Sequence, residues 1–98
     1  MKFDLEKLKE ILEPMGFVVK HEFGERAFHF VISPDNKFLE YLGDSRRIRL
    51  WPEFWDNCWD NYESFEELDL EKKARHYIES KKKFELAVKM NELKKDFV

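Results

Sequence analysis

Three histidines, one cysteine and a run of eight carboxylates between Pro52 and Glu71 are the groups in this chain that could do chemistry. A zinc site needs ligands that converge, such as an HxxxH pair on a helix or paired cysteines. His21 and His29 fall on opposite faces of the hairpin their segment predicts, and His76 lies far along the chain. Cys58 has no second cysteine to join it in a disulfide. It sits among apolar residues and reads as a small buried hydrophobe rather than a nucleophile. The pattern therefore predicts no metal and no other cofactor. Carboxylate catalysis needs two acids across a cleft with their pKa values pushed apart, and acids strung along one segment do not supply that. No Ser/His or Cys/His arrangement supports a nucleophile either. No catalytic residue is assigned, and the expectation is a protein that is not an enzyme.

The carboxylates are better read as a surface. Trp51 to Glu67, WPEFWDNCWDNYESFEE, holds six of the sixteen aromatic residues and no basic one. Wound as a helix at about 100° per residue, it puts Glu53, Asp56, Asp60, Glu63 and Glu67 within an arc of about 80°. Phe54, Trp55, Cys58, Trp59, Tyr62 and Phe65 take the other side and predict a buried aromatic face. Acids at i+3 and i+4 repel by roughly 0.2–0.5 kcal/mol per pair, and no lysine relieves them. A passive solvated face would interleave bases, so the surplus points to a positively charged partner. Glu53, Asp56, Asp60, Glu63, Glu66 and Glu67 are the expected partner-binding residues.

Acids one turn apart are about 5.4 Å apart along the axis, the order of the spacing of phosphates on a nucleic-acid strand. Such a ladder could occupy a protein channel built for nucleic acid. In texture, Phe54 to Glu67, with Trp59, Tyr62-Glu63 and Glu66-Glu67, resembles the acidic helical parts of small phage inhibitors, the anti-CRISPR proteins that block Cas9 among them. What the resemblance implies is an inhibitor or adaptor acting on a nucleic-acid enzyme through its basic groove. The alternative is a nucleic-acid-binding accessory protein using Arg46, Arg47, Arg49 and the C-terminal lysines. Eight neighbouring acids stand ready to occupy those arginines, so direct nucleic-acid binding is not expected.

Ninety-eight residues make one domain, with a modest core. The net charge of −3 hides a division: eight acids and no base from Pro52 to Glu71, then nine bases and four acids from Lys72 to Val98. The two halves could answer each other within the fold or serve two partners. No apolar run approaches a membrane span and the N-terminus has no signal-like core. A cytoplasmic protein of a reducing compartment fits.

The elements that would position these residues follow in order. Asp4 caps a first helix with Leu5, Leu8, Ile11 and Leu12 on one stripe, ended by Pro14 and Gly16. Phe17 to Ser33 reads as a hairpin turning at Gly24-Glu25, with Phe17, Val19, His21, Phe28, Phe30 and Ile32 on one face. Phe38–Leu42 and Arg46–Leu50 continue it as a meander; a short helix stopped at Gly43 is the competing reading. Pro52 opens the acidic helix. Ser64 with Glu67 is a capping box that breaks it near Glu63, and Glu67 joins the stripe only if the helix is continuous. From Leu70 the chain is helical. Leu70, Ala74, Tyr77, Ile78, Phe84 and Val88 share one face; Leu86, Met90, Leu93 and Phe97 point the opposite way. One straight helix cannot bury both sets against a single core, so it bends around Ser80–Lys83 or the second set meets another chain in a homodimer. A helical dimer with a purely structural role is a third reading. The expected fold is α+β: an N-terminal helix, a three- or four-stranded antiparallel β-meander and two or three C-terminal helices. The expected core is Leu8, Ile11, Leu12, Val19, Phe28, Phe30, Ile32, Phe54, Trp55, Cys58, Tyr77 and Phe84.

Overall fold

The computed structural model describes residues 2–22, 26–33 and 36–96, with the side chains of Glu22 and of 92–96 outside the description. The expected turn residues Gly24, Glu25, Pro34 and Asp35, and Phe97 of the apolar set, lie outside the described residues. Helix α1 (Leu5–Leu12) starts at Asp4, whose carboxylate accepts the Glu6 N–H at 3.4 Å. A 3-10 turn, Glu13–Met15, follows, and Gly16 ends it at φ 101°, a left-handed conformation that a side chain would strain. Leu8 and Leu12 are fully buried, with Leu5 and Ile11 packed beside them.

Five strands then form one antiparallel sheet in sequence order: β1 (Val18–Glu22), β2 (Ala27–Ser33), β3 (Asn36–Leu42), β4 (Arg47–Leu50) and β5 (Asp60–Tyr62). The β1–β2 register pairs Val19 with Phe30 and His21 with Phe28, as the hairpin alternation predicts. The meander reading of 38–50 holds, because Leu39, Tyr41, Ile48 and Leu50 alternate inward at period two. One face of the sheet carries the apolar core. Phe17, Phe30, Phe38, Leu39, Tyr41, Ile48 and Leu50 pack there with Phe3, with Leu8 and Leu12 of α1, and with Leu70, Ala74 and Tyr77 of α2 (Leu70–Asp96). Tyr77 is at its centre, with its ring 4.8 Å from Phe38 and 5.8 Å from Phe54 and its hydroxyl donating to the Lys37 carbonyl at 3.2 Å.

The architecture corrects the expected one. Among the described residues there are five strands rather than three or four, and one C-terminal helix rather than two or three. The acidic helix does not form. Residues 51–59 are irregular, 60–62 pair with β4, and Phe65–Glu67 make a 3-10 turn. Two physical reasons account for this. Asp56-Asn57 and Asp60-Asn61 are poor in helix interiors because their side chains compete for the backbone, and the Asp56 carboxylate does accept the Cys58 N–H at 3.1 Å. A fifth strand also pairs the outer edge of β4, with Ile48 opposite Tyr62 and Leu50 opposite Asp60. The expected capping box is absent too, since Ser64 makes no side-chain cap and Glu67 instead accepts the Glu63 N–H at 2.8 Å. Trp55, Cys58 and Phe84, expected in the core, are exposed.

Asp69 opens α2 by accepting the Lys72 N–H at 3.1 Å. The helix then runs without a break through Ser80–Lys83. Its first half packs on the sheet, and everything described beyond Lys81 is exposed. The molecule is therefore drawn out to 54 × 28 × 24 Å, with a radius of gyration of 15.3 Å against about 13 Å for a rounded chain of this length. No helix among the described residues is long and apolar enough to cross a membrane.

Candidate binding surface

The acidic stretch is anchored at both ends, and between them Trp59 rests with its ring 5.8 Å from that of Trp51. At its start Phe54 is buried, with its ring against Tyr77 and Phe84. Its N–H donates to the Ser80 hydroxyl at 2.8 Å, and its carbonyl accepts from Asn36 Nδ2 at 3.0 Å. At its end β5 is held by the sheet. Trp55 to Asn61, the last two of them already in β5, are all exposed. Trp55 is 53% exposed and Trp59 48%, far outside the usual environment of so large an apolar side chain. They bracket Asp56 and, with Asp60 beyond, form an acidic aromatic lobe projecting from one end of the sheet.

The expected partner-binding carboxylates do not make one ladder. Glu53 is half-buried, with Oε1 2.5 Å from His76 Nε2 and Oε2 buried without a hydrogen-bond partner. Glu63 lies 3.1 Å from the Arg47 guanidinium. Glu66 and Glu67 are exposed on the 3-10 turn. Glu53 and Glu67 line one shallow groove of about 570 Å³ with Tyr62, Lys72, Lys73 and His76. Glu63 and Glu67 line another with Arg47 and Arg49. Asp56 shares a third, of about 280 Å³, with Asn36, Trp51, Phe54 and Trp59. Asp56 and Asp60 form no ion pair among the described residues, and they are the two acids of the lobe itself.

The arginines of the alternative reading are largely engaged. Arg47 meets Glu63, and Arg49 lies 3.5 Å from Glu40 with its guanidinium 5.6 Å from the Trp59 ring. Arg46 sits in the turn before β4 at φ 55°. Arg49 also belongs to a row that sequence reading did not pick out. Lys20, His29, Glu40, Arg49 and Asn61 lie side by side on the sheet face away from the helices, one from each strand. His29 is only 2% exposed, with Nε2 2.5 Å from Glu40. The signal was the alternation itself: once the hairpin register is set, His29 faces out and Glu40 must lie beside it.

Hydrogen bonding to Asp56, its charge, slight burial and the charge of Asp60 raise the Cys58 thiol above its ordinary pKa, which leaves it a poor nucleophile. Burial first, then Asp60 and Glu67, raise the Tyr62 phenol. Among the described residues no three His, Cys, Asp or Glu side chains gather where a metal ion could be held. Of the expected self-association set, Leu86 and Met90 are 59% and 52% exposed. Leu93 lies on the helix with its side chain outside the description. Comparison with protein families, with curated proteins and with solved structures finds no match for this chain.

Proposed function

We propose that this protein is a non-enzymatic binding module that presents its acidic aromatic lobe to a positively charged surface on another protein. The observation that carries the reading is the exposure of Trp55 and Trp59 around two acids, Asp56 and Asp60, that form no ion pair among the described residues. Exposed Trp is enriched where protein interfaces concentrate their binding energy. Unpaired acids beside it supply steering and selectivity for a basic partner. A nucleic-acid enzyme with a basic groove is one partner of that chemistry. Recognition would then rest on a lobe of indoles and carboxylates, not on helically spaced acids.

The test is capture of a partner from host extract by the wild type, by W55A/W59A and by D56K/D60K, beside thermal melts of all three. The expectation is that both variants stay folded and melt only modestly below the wild type, because the four side chains are exposed and what is lost is the Asp56 bond to the Cys58 N–H and the packing of Trp59 on Trp51. Both should lose the captured protein, and wild-type capture should weaken steeply between low and high salt. Variants that melt normally and capture the same protein equally well would remove the lobe from the binding surface.

A further inference from the structure

The chain leaves a second charged surface unanswered. Wound at about 100° per residue, the outer half of α2 puts Lys82, Lys83, Leu86, Lys89 and Met90 within an arc of about 120°. Between Lys82 and Asn91 that arc bears no acid. All five residues are described, and only Leu86 and Met90 are apolar among them, both more than half exposed. Lys82, Glu85, Leu86 and Lys89 line a shallow groove of about 240 Å³ on its flank. Among the described residues Lys82, Lys83 and Lys89 form no ion pair, while Lys81, just outside the arc, pairs with Glu85. Acid and base are thus segregated along the sequence, and the folded chain does not bring these two sets together. The lobe sits at the base of the protruding helix, where Phe54 meets Ser80 and Phe84. The basic face lies on the part that extends away from it. A helix of four or so turns with an exposed apolar strip is marginal in water unless something packs on it.

We propose that a second copy of this chain fills both surfaces: the Lys82/Lys83/Leu86/Lys89/Met90 face of one α2 seats against the Trp55/Asp56/Trp59/Asp60 lobe of the other. Two copies placed antiparallel, each protruding helix alongside the base of its partner's, make the contact twice about a two-fold axis, the commonest symmetry of soluble oligomers. Each contact then joins lysines to free aspartates and an aliphatic strip to exposed indoles, which is the composition of a specific interface rather than of a solvated face. The proposal rests on the lobe being a binding surface, as argued above. It commits the lobe, in the free protein, to a partner whose chemistry is already written in the same chain. A basic groove elsewhere would bind by displacing that helix.

The decisive experiment is a charge swap read by light scattering over a range of protein concentrations. Variant K82E/K83E/K89E carries acid on both surfaces; variant D56K/D60K carries base on both. All five substituted side chains are exposed, and circular dichroism checks that each variant is folded. The wild type is expected to be a dimer at low salt and to dissociate at least tenfold more readily in 1 M salt. Each variant alone is expected to be a monomer. Mixed one to one, they are expected to recover the mass of a dimer, since both contacts are again between opposite charges. A wild type that stays monomeric throughout overturns the proposal. So does a dimer indifferent to both variants, or a mixture that fails to recover it. The mixture contains no other protein, so its failure leaves partner capture by the lobe as a separate measurement.

Discussion

Replacing Ser80 with alanine should loosen the lobe from the body of the protein. Ser80 and His29 are the polar residues buried among those described. The Ser80 hydroxyl accepts the buried Phe54 N–H at 2.8 Å and donates to the Tyr77 carbonyl at 2.7 Å. Alanine leaves the Phe54 N–H without an acceptor, which costs about 1–3 kcal/mol. The better helix propensity of alanine returns up to about 0.5 kcal/mol, and the Tyr77 carbonyl keeps its helical partner. The net loss is about 0.5–3 kcal/mol, which for a chain of this size lowers the melting temperature by roughly 2–24 °C. Urea unfolding followed by tryptophan fluorescence reads both the stability and the environment of Trp55 and Trp59. N36A removes the other bond to Phe54, from Asn36 Nδ2 to its carbonyl. Because both bonds hold one residue, S80A and N36A should be coupled by about 0.5 kcal/mol or more in a double-mutant cycle. S80A at wild-type stability, or strict additivity with N36A, would refute the claim that α2 and β3 jointly position the lobe.

Two further outcomes concern titrating groups. Cys58 should react with iodoacetamide at pH 8 more slowly than a free thiol, because Asp56 disfavours its thiolate, and D56N should speed the reaction several-fold. Burial pushes the Tyr77 phenol up to about 12, so in the unfolded chain it ionises first, near 10. Its stabilising contribution is full below pH 10 and is lost as pH rises towards 12, by as much as about 2–3 kcal/mol. Urea midpoints from pH 9 to 11.5 should fall more steeply for the wild type than for Y77F, and parallel curves would contradict the assignment.

The parts of the fold readable from sequence are those where local pattern and tertiary demand agree. Asp4, the stripe through Leu12 and Gly16 specify α1 without outside help. The alternation in 17–33 sets a register that the sheet keeps. From 51 to 67 the two diverge. Aromatics at positions 54, 55, 58, 59, 62 and 65 imitate a helical face, and a three-residue strand such as Asp60–Tyr62 is too short to show period two against that background. The edge of β4 selects the strand, and no local signal reports that an edge needs covering. The same misreading put Trp55 and Cys58 in the core, although the Asp-Asn pairs beside them are turn formers. The acids were legible as a surface; their distribution over several grooves was not, because it depends on Arg47 and His76, which arrive from other elements. In α2 the inward-facing Leu70, Ala74 and Tyr77 were legible from their spacing. Where the helix leaves the body was not, since it depends on where the sheet stops.

Each strand of this sheet pairs with the one made just before it, with no crossover. The sheet can therefore be laid down in the order of synthesis. Every pairing closes a short loop, so ordering it carries little of the entropic penalty that slows sheets built from distant segments. The ties that reach across the length of the chain include α2 packing back on α1, the bridge between Lys2 and Ser64, and the rings of Phe3 against Phe65 and Phe17 against Tyr77. A chain leaving the ribosome can complete all five strands, with Leu8 and Leu12 already against them, before the sequence of α2 exists. The long helix then arrives last, as a lid on a sheet whose inner face has waited for Tyr77.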